Sequence, residues 1–222
     1  MILTSLSTGE KYFWVKVPRT GTVSYQNFFL KYYSGSVGCP THDPALGNLH
    51  THYSYENLCK LYEIKLPGIT VVRNPLERFI SGLHQLKLLS LEQKFDVSFL
   101  DDMKSCIKFL QTHFSRNCYT VSDFQDLFLN SDPSFTQPFF KLQISLMYHP
   151  KVSWFKYENI EKFNEWIINT LDYDVSLLSR ENQSVKKILS NLNFSDPKFI
   201  ETVENMFYDD YKVLDYPFQY LT

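Results

Sequence analysis

The chain has 222 residues, a formal net charge of −2 and an isoelectric point near 6.3. This charge balance argues against a protein that binds nucleic acid or an anionic membrane through its overall charge, although it permits a local basic site. The length suffices for one sizeable hydrophobic core, so we expect a single domain over residues 1–222.

The spacing of the cysteines and the distribution of apolar residues indicate the cellular location of the protein. The four cysteines show no CxxC spacing, which favours reduced thiols over a disulfide framework or a zinc site. No apolar stretch approaches the roughly 20 residues that span a bilayer, and the first residues show no signal-peptide pattern. We therefore expect a soluble, cytoplasmic protein without a membrane span and without a metal site. The sequence makes no prediction of oligomeric state.

The first predicted unit, residues 12–29, is a strand, a small-residue turn and a helix. Its segment YFWVKV is aromatic and β-branched, which favours a buried strand, and Pro18 ends that strand by removing a backbone donor. Gly21 supplies backbone freedom, and helical spacing of apolar residues begins at Thr22. Because helix N-termini attract anions, this unit predicts a phosphate or sulfate cradle. On this motif alone, an ordinary strand–turn–helix corner is an equal alternative.

A second strand, turn and helix follow. Ser54 is predicted to cap a short helix through about Tyr62, and ITVVR, residues 69–73, predicts another buried strand. Asn74, with Pro75 and Glu77 behind it, predicts a helix to about Leu89.

Two polar residues of this second unit suit one phosphate. Arg73 stands at the strand end and offers a fork of donors, and Ser81 lies about two turns into the helix. The alternative for Arg73 is an ion pair with Glu77, and Arg78 could be a solvated helix residue.

The remaining pattern continues the α/β alternation. It predicts Ser98 and Ser122 as helix caps, a strand over residues 152–157, and helices over residues 99–114, 123–129, 137–147, 158–171 and 196–213. The expected fold class is α/β, with a short, mostly parallel sheet, helices on both faces and a helical insertion between about residues 90 and 150.

The turn after the first strand is not a Walker loop. No GxxxxGK followed by Ser or Thr occurs, which disfavours a nucleoside-triphosphate kinase. The segment 18–24, PRTGTVS, instead offers a cation, a glycine and hydroxyls, which can bind phosphate without a magnesium ion.

The segments VPRTGTVS and VVRNPLERFISG resemble the two cofactor-binding motifs of sulfotransferases that use 3′-phosphoadenosine 5′-phosphosulfate (PAPS). The likeness is to the heparan sulfate 2-O-sulfotransferase-like branch, and it implies a P-loop-NTPase-like sulfotransferase fold. The resemblance further implies that Arg73 and Ser81 bind the 3′-phosphate of PAPS. The residues that it implies for the 5′-phosphosulfate are Arg19, Thr20, Gly21, Thr22, Val23 and Ser24.

A third segment, HTHYSY, resembles the family's His-x-His segment, in which the second histidine is the catalytic base. His52 would have that role, and His50 would be a neighbouring site residue. The alternative for His52 is a loop histidine that is hydrogen-bonded to the backbone. A histidine suits proton abstraction because its unperturbed pKa lies near neutrality. The resemblance also places a loop over the nucleotide, with the residues Arg180, Asn182, Ser184 and Lys186.

The chain departs from the family pattern at two positions. Arg19 stands where the family usually has Lys, and an arginine stabilises charge but is a poor proton donor. Val23 replaces a usual hydroxyl residue. Lys16 could compensate, unless its position within the strand directs it away from the site.

The resemblance implies sulfuryl transfer to an acceptor hydroxyl, on a carbohydrate. The net charge of −2 favours a small glycan or lipid-linked sugar over a highly sulfated polymer, which needs cationic clefts. Two alternatives stay open: a nucleotide-binding module that has lost turnover, and a kinase-like nucleotide enzyme.

Overall fold

A computed structural model describes residues 1–33, 52–114, 139–179 and 188–221 of the chain. The chain folds into two compact units. A sheet unit comprises residues 1–73 and 145–183, and a helical unit comprises residues 74–144 and 184–222. The single domain predicted over residues 1–222 stays a prediction, and we describe each unit by itself.

The sheet unit is built on a four-stranded mixed sheet in the order β1-β2-β3-β4. The first strand pairs antiparallel with the second, and the other neighbours are parallel. Gly68 of the third strand pairs with Phe13 of the second strand on one side and with Val152 of the fourth strand on the other. The strands are β1 (Ile2–Thr4), β2 (Lys11–Trp14), β3 (Gly68–Val72) and β4 (Val152–Lys156).

Helices cover both faces of this sheet. Trp14, Ile69 and Val71 share a buried cluster with aromatic residues of α1 (Thr22–Tyr33) and α6 (Ile160–Trp166). Phe13 points the other way because side chains alternate along a strand. Its ring lies 6.1 Å from the ring of Tyr55 at the start of α2 (Tyr55–Tyr62).

Helix capping in the sheet unit follows the sequence pattern. Ser54 caps α2 as predicted, because its hydroxyl accepts a hydrogen bond from the backbone N–H of Asn57 at 3.2 Å.

The predicted helix over residues 158–171 has three parts: a 3₁₀ turn at Tyr157–Asn159, then α6, then a π-helical turn at Ile167–Leu171.

The helical unit contains α3 (Pro75–Gln93), α4 (Met103–His113), α7 (Pro197–Met206) and α8 (Tyr208–Val213). Asn74 caps α3 as predicted, accepting a hydrogen bond from the N–H of Glu77 at 3.2 Å. The rings of α3 and the C-terminal helices pack together, with Phe79 and Phe207 5.4 Å apart. The helical unit therefore begins at residue 74, before the insertion predicted between about residues 90 and 150, and it includes the C-terminal helices.

Three helix boundaries correct the sequence prediction. Ser98 does not cap a helix from residue 99, because the Asp102 carboxylate accepts a hydrogen bond from the N–H of Ser105 at 2.9 Å and begins α4 there. In place of a helix over residues 137–147, the described part has only α5 (Ile144–Met147), where Asp210 accepts a hydrogen bond from the N–H of Ile144 at 3.0 Å. The last helix breaks at Phe207, whose φ of −112° is not helical.

The predicted helix over residues 123–129 lies outside the described residues, together with its cap Ser122. Within the described ranges, no helix combines the length and apolar character that a bilayer span requires.

Candidate functional site

Three loops that follow parallel strands form the candidate site in the sheet unit. The loop after β2 carries Arg19 and Gly21, β3 is followed by Arg73, and β4 by Tyr157. Because these strands are parallel, their carboxyl ends lie at the same edge of the sheet, where α/β folds commonly bind ligands.

The turn between β2 and α1 has an unusual backbone. Arg19 and Gly21 both adopt positive φ angles, 66° and 81° respectively. Thr20 between them is buried, and its hydroxyl donates a hydrogen bond to the carbonyl of Val17 at 2.8 Å. A Cβ added to Gly21 would lie 3.3 Å from Cε2 of Tyr157, so a glycine lets this ring pack closely over the turn.

The turn leads directly into the N-terminus of α1. The carbonyl of Gly21 accepts a hydrogen bond from the N–H of Tyr25 at 3.2 Å, so the N–H groups before Tyr25 have no acceptor within the helix itself. The first turn of α1 contains no acidic residue. Thr22 and Ser24 are partly buried there, and Val23 is 44% exposed. This helix end is therefore favourable for an anion.

Arg19, Arg73 and Tyr157 interact electrostatically at this edge of the sheet. Burial lowers the pKa of the Arg19 guanidinium to about 10, and the positive charge of Arg73 acts in the same direction. Tyr157 acts in the opposite direction on Arg19, and its ring centre lies 5.1 Å from Cζ of Arg73. The sheet unit thus concentrates two positive charges beside one aromatic ring.

His52 lies against the start of the same loop. Its Nδ1 is 2.9 Å from the carbonyl oxygen of Lys16. Because a carbonyl oxygen only accepts hydrogen bonds, Nδ1 must carry the proton, and the neutral ring then has its basic lone pair on Nε2. This contact fits both the predicted base and a loop histidine that is hydrogen-bonded to the backbone, so the role of His52 stays a prediction.

The side chain of Lys16 is buried, and its Nζ donates a hydrogen bond to Oε1 of Gln26 at 3.5 Å. That contact links the segment after β2 to the second turn of α1. Whether Lys16 compensates for Arg19 stays a prediction.

From Asn74 onward, the second motif belongs to the helical unit, and this part includes Ser81 and Arg78. Ser81 is buried in α3, and its convergence with Arg73 on one phosphate stays a prediction. Arg78 corrects the expectation of a solvated side chain: it is 1% exposed, lies 3.8 Å from the Asp210 carboxylate and donates a hydrogen bond to the carbonyl of Lys141 at 2.6 Å. Its role is therefore to satisfy a buried carboxylate and a buried carbonyl in the helical unit.

Five predicted site residues lie outside the described residues: His50, Arg180, Asn182, Ser184 and Lys186. Their predicted roles stay predictions.

Tyr157 is the site residue that sequence reasoning missed. The pattern WFKY assigned it to a strand end without a chemical role. Tyr157 directly follows β4, and Arg73 directly follows β3, the neighbouring parallel strand. That shared position at the strand ends is the signal that could have identified Tyr157.

Within the described ranges, no group of three or more His, Cys, Asp or Glu side chains is arranged to hold a metal ion.

Comparisons with models of protein families, with curated proteins and with solved structures gave no match.

Proposed function

We propose that the chain is a sulfotransferase that transfers a sulfuryl group from PAPS to a hydroxyl of a carbohydrate acceptor. The observation that carries this proposal is the position of the Tyr157 ring, which packs over the Gly21 turn next to Arg19 and has its centre 5.1 Å from Cζ of Arg73. The resemblance of both loops to the PAPS motifs supports it. The P-loop-like sulfotransferase fold is part of the proposal and is supported by the parallel pairing of β2, β3 and β4.

The charge distribution fits a ligand with several negative charges. Two guanidinium groups that repel each other destabilise the unliganded site, and an anion between them converts this repulsion into two attractions. The helix N-terminus and the hydroxyl residues at positions 22 and 24 add neutral donors for the oxygens of a phosphosulfate, whereas the Thr20 hydroxyl already donates to the carbonyl of Val17.

When bound, PAPS supplies an activated sulfuryl group on a phosphate leaving group. Transfer forms a sulfur–oxygen bond to the acceptor, breaks the one to the nucleotide phosphate and releases the proton of the acceptor hydroxyl. Nε2 of His52 takes that proton, and the bond from Nδ1 to the Lys16 carbonyl holds the ring in the required tautomer.

Arg19 stabilises the negative charge that develops on the leaving phosphate. Even with a lowered pKa of about 10, it keeps its proton at neutral pH. It therefore acts through charge rather than as a general acid.

We propose a small glycan or a lipid-linked sugar as acceptor, because the chain as a whole is slightly acidic. The lack of CxxC spacing supports a cytoplasmic location for this activity.

The test combines binding and turnover on the purified full chain. Calorimetry should show preference for 3′-phosphoadenosine 5′-phosphate over ATP with magnesium. Labelled PAPS and a panel of neutral glycans should then yield a labelled sulfated product. Equal affinity for ATP and the 3′-phosphorylated nucleotide would refute the proposal. Tight binding of the 3′-phosphorylated nucleotide without transfer to any acceptor would favour the binding module.

A further inference from the structure

Lys16 and Gln26 form a buried polar pair in the sheet unit, between the loop after β2 and the helix that follows it. Lys16 is 4% exposed and Gln26 is 3% exposed. Gln26 belongs to α1, and its Oε1 is 3.5 Å from Nζ of Lys16. We call these two side chains the lysine–glutamine pair. Burial of an ammonium and an amide lowers stability unless their donors find acceptors.

The contact with Lys16 fixes which way the amide of Gln26 points. An ammonium group has donors and no acceptor, so the amide oxygen must be the atom that faces Nζ. The amide nitrogen, Nε2, therefore points away from Lys16. Nε2 is buried, and no atom of the described residues accepts a hydrogen bond from it. Buried donors without an acceptor are rare in folded proteins, which points to an acceptor supplied by a ligand.

The position of Gln26 on α1 directs this donor towards the N-terminus of the helix. Gln26 follows Thr22, the first residue of α1, by four positions, so both lie on the same face. Side chains of an α-helix tilt towards its N-terminus, and the amide of Gln26 therefore lies over the first turn. Lys16, three residues before Arg19, contacts the amide from the loop side. The donor thus belongs to the corner that also contains the first N–H groups of α1.

The lysine–glutamine pair offers a ligand donors and no acceptor. Oε1 of Gln26 already faces Lys16, the ammonium only donates, and the first turn of α1 contains no acidic residue. The oxygens of a sulfuryl group carry no proton and only accept hydrogen bonds. A phosphate monoester keeps a proton over part of the neutral range and then needs an acceptor for it. The pair therefore favours an oxyanion without a proton.

A glutamate at position 26 would be the simpler partner for a buried ammonium. Its carboxylate would bind Nζ, neutralise the charge of Lys16 and leave no amide donor without an acceptor. It would also repel an anion in the loop. Glutamine instead preserves the positive charge of Lys16 and adds a neutral donor, and both properties suit an anionic ligand.

We propose that Nε2 of Gln26 donates a hydrogen bond to a sulfuryl oxygen of PAPS, and that Lys16 holds the amide in the orientation that this bond requires. The proposal rests on the sulfotransferase function and adds a specificity-determining residue to it. Because Gln26 is buried, only an oxygen that enters the loop reaches this donor. Its bond to an oxyanion without a proton makes the loop select sulfate over phosphate.

Calorimetry on the full chain with inorganic sulfate and inorganic phosphate tests this assignment. At about pH 6, phosphate keeps at least one proton and sulfate keeps none, so the unmodified chain should bind sulfate more tightly. Gln26→Glu should raise the Kd for sulfate at least about tenfold, because it removes the donor and adds a negative charge. The Kd for phosphate should rise less, since the carboxylate can accept the phosphate proton.

The same variant separates a ligand-binding role from a structural one. Without added anion, Gln26→Glu should raise the thermal midpoint of the chain, because the new carboxylate pairs with Lys16 and the buried amide donor is removed. A residue with a merely structural role would not combine a higher midpoint with weaker binding of sulfate.

The matched control is Asn27→Asp, which makes the same change from amide to carboxylate at the next residue of α1. Residue 27 lies about 100° further around the helix, so the Kd for sulfate should stay within about twofold. An unchanged Kd for sulfate in Gln26→Glu would mean that solvent satisfies Nε2, and it would overturn the assignment. Equal affinity of the unmodified chain for sulfate and phosphate, or no binding of sulfate, would overturn it as well.

The sulfotransferase function is tested separately through the nucleotide. If sulfate binding depends on Gln26 but 3′-phosphoadenosine 5′-phosphate does not bind, the proposed function fails and Gln26 stands as part of a sulfate site. If Gln26→Glu transfers the sulfuryl group from labelled PAPS as fast as the unmodified chain does, the assignment of Gln26 fails and the function stands.

Discussion

Arg19 and Arg73 follow adjacent parallel strands, and their guanidinium groups interact unfavourably. Burial and the positive charge of Arg73 together lower the pKa of Arg19 to about 10. Arg19 also adopts a left-handed backbone conformation, with φ of 66°. The loop therefore combines charge repulsion with backbone strain, a combination common at sites that bind ligands.

We predict that anionic nucleotides stabilise the chain through these two residues. At a concentration of 3′-phosphoadenosine 5′-phosphate one hundred times its Kd, the free energy of unfolding should rise by about 2.7 kcal/mol. Arg19→Gln and Arg73→Gln should each lose most of this gain, because each removes one charge from the site. Denaturant unfolding with and without the nucleotide measures both effects.

The matched control for this prediction is Lys65→Gln, which removes an exposed cation elsewhere in the sheet unit. Equal nucleotide stabilisation in all three variants would show that the anion binds away from the loop.

We predict that Arg19→Gly raises the free energy of unfolding of the unliganded chain by roughly 1 kcal/mol. Release of the left-handed conformation and of the buried charge outweighs the extra unfolded-state entropy of glycine. Nucleotide affinity should fall in the same variant, which would trade function for stability. Chemical denaturation and calorimetry measure the two quantities.

Lys94→Gly separates strain from charge. Lys94 also has a positive φ, 58°, but it is an exposed residue at the end of α3. Its change to glycine therefore reports the backbone contribution, and a gain equal to that of Arg19→Gly would mean that the Arg73 charge contributes nothing.

We predict that His52→Asn abolishes sulfuryl transfer and leaves nucleotide affinity within about twofold. The Asn side-chain amide can still donate to the carbonyl of Lys16, as Nδ1 does now at 2.9 Å, but it offers no basic nitrogen in place of Nε2. Single-turnover assays with labelled PAPS and calorimetry measure the two properties.

His52→Ala completes this comparison, since it removes both the base and the contact with Lys16. Near-normal turnover in the Asn variant would refute the assignment of His52 as base. Loss of nucleotide affinity in the Ala variant alone would identify the contact as a support for the loop.

We predict that Gly68→Ala destabilises the sheet unit by about 1–3 kcal/mol through overpacking. An added Cβ would lie 2.8 Å from Cγ2 of Val152 and 3.0 Å from Cδ2 of Tyr55. Thermal unfolding measures the loss, and Val152→Ala in the same chain should recover part of it. If Gly68→Ala is as stable as the unmodified chain, β4 can move away from the added methyl group without a loss of stability.

Local signals in the sequence predicted the elements that depend on them. Asn74 with Pro75, and Ser54 before α2, begin their helices where the pattern placed them, because each cap is a local hydrogen bond. The segment ITVVR also predicted a buried strand, and all five residues of β3 are buried.

Other boundaries depend on partners distant in sequence. Asp210 begins α5 from 66 residues away, and the ring of Phe207 packs on Phe79 where the last helix breaks. The site shows the same limit: both loop motifs were visible in the sequence, whereas the role of Tyr157 depends on the pairing of β4 with β3. The burial of Arg78 against Asp210 likewise has no local signal.

The register of the sheet has a consequence for how the chain folds. Residue 68 must pair with residue 152 before Arg73 and Tyr157 can come together, so the site requires closure of a long loop and cannot form early. Refolding should be slow compared with that of a helical bundle of similar size, and ribosome-bound chains that stop before β4 should not retain nucleotide.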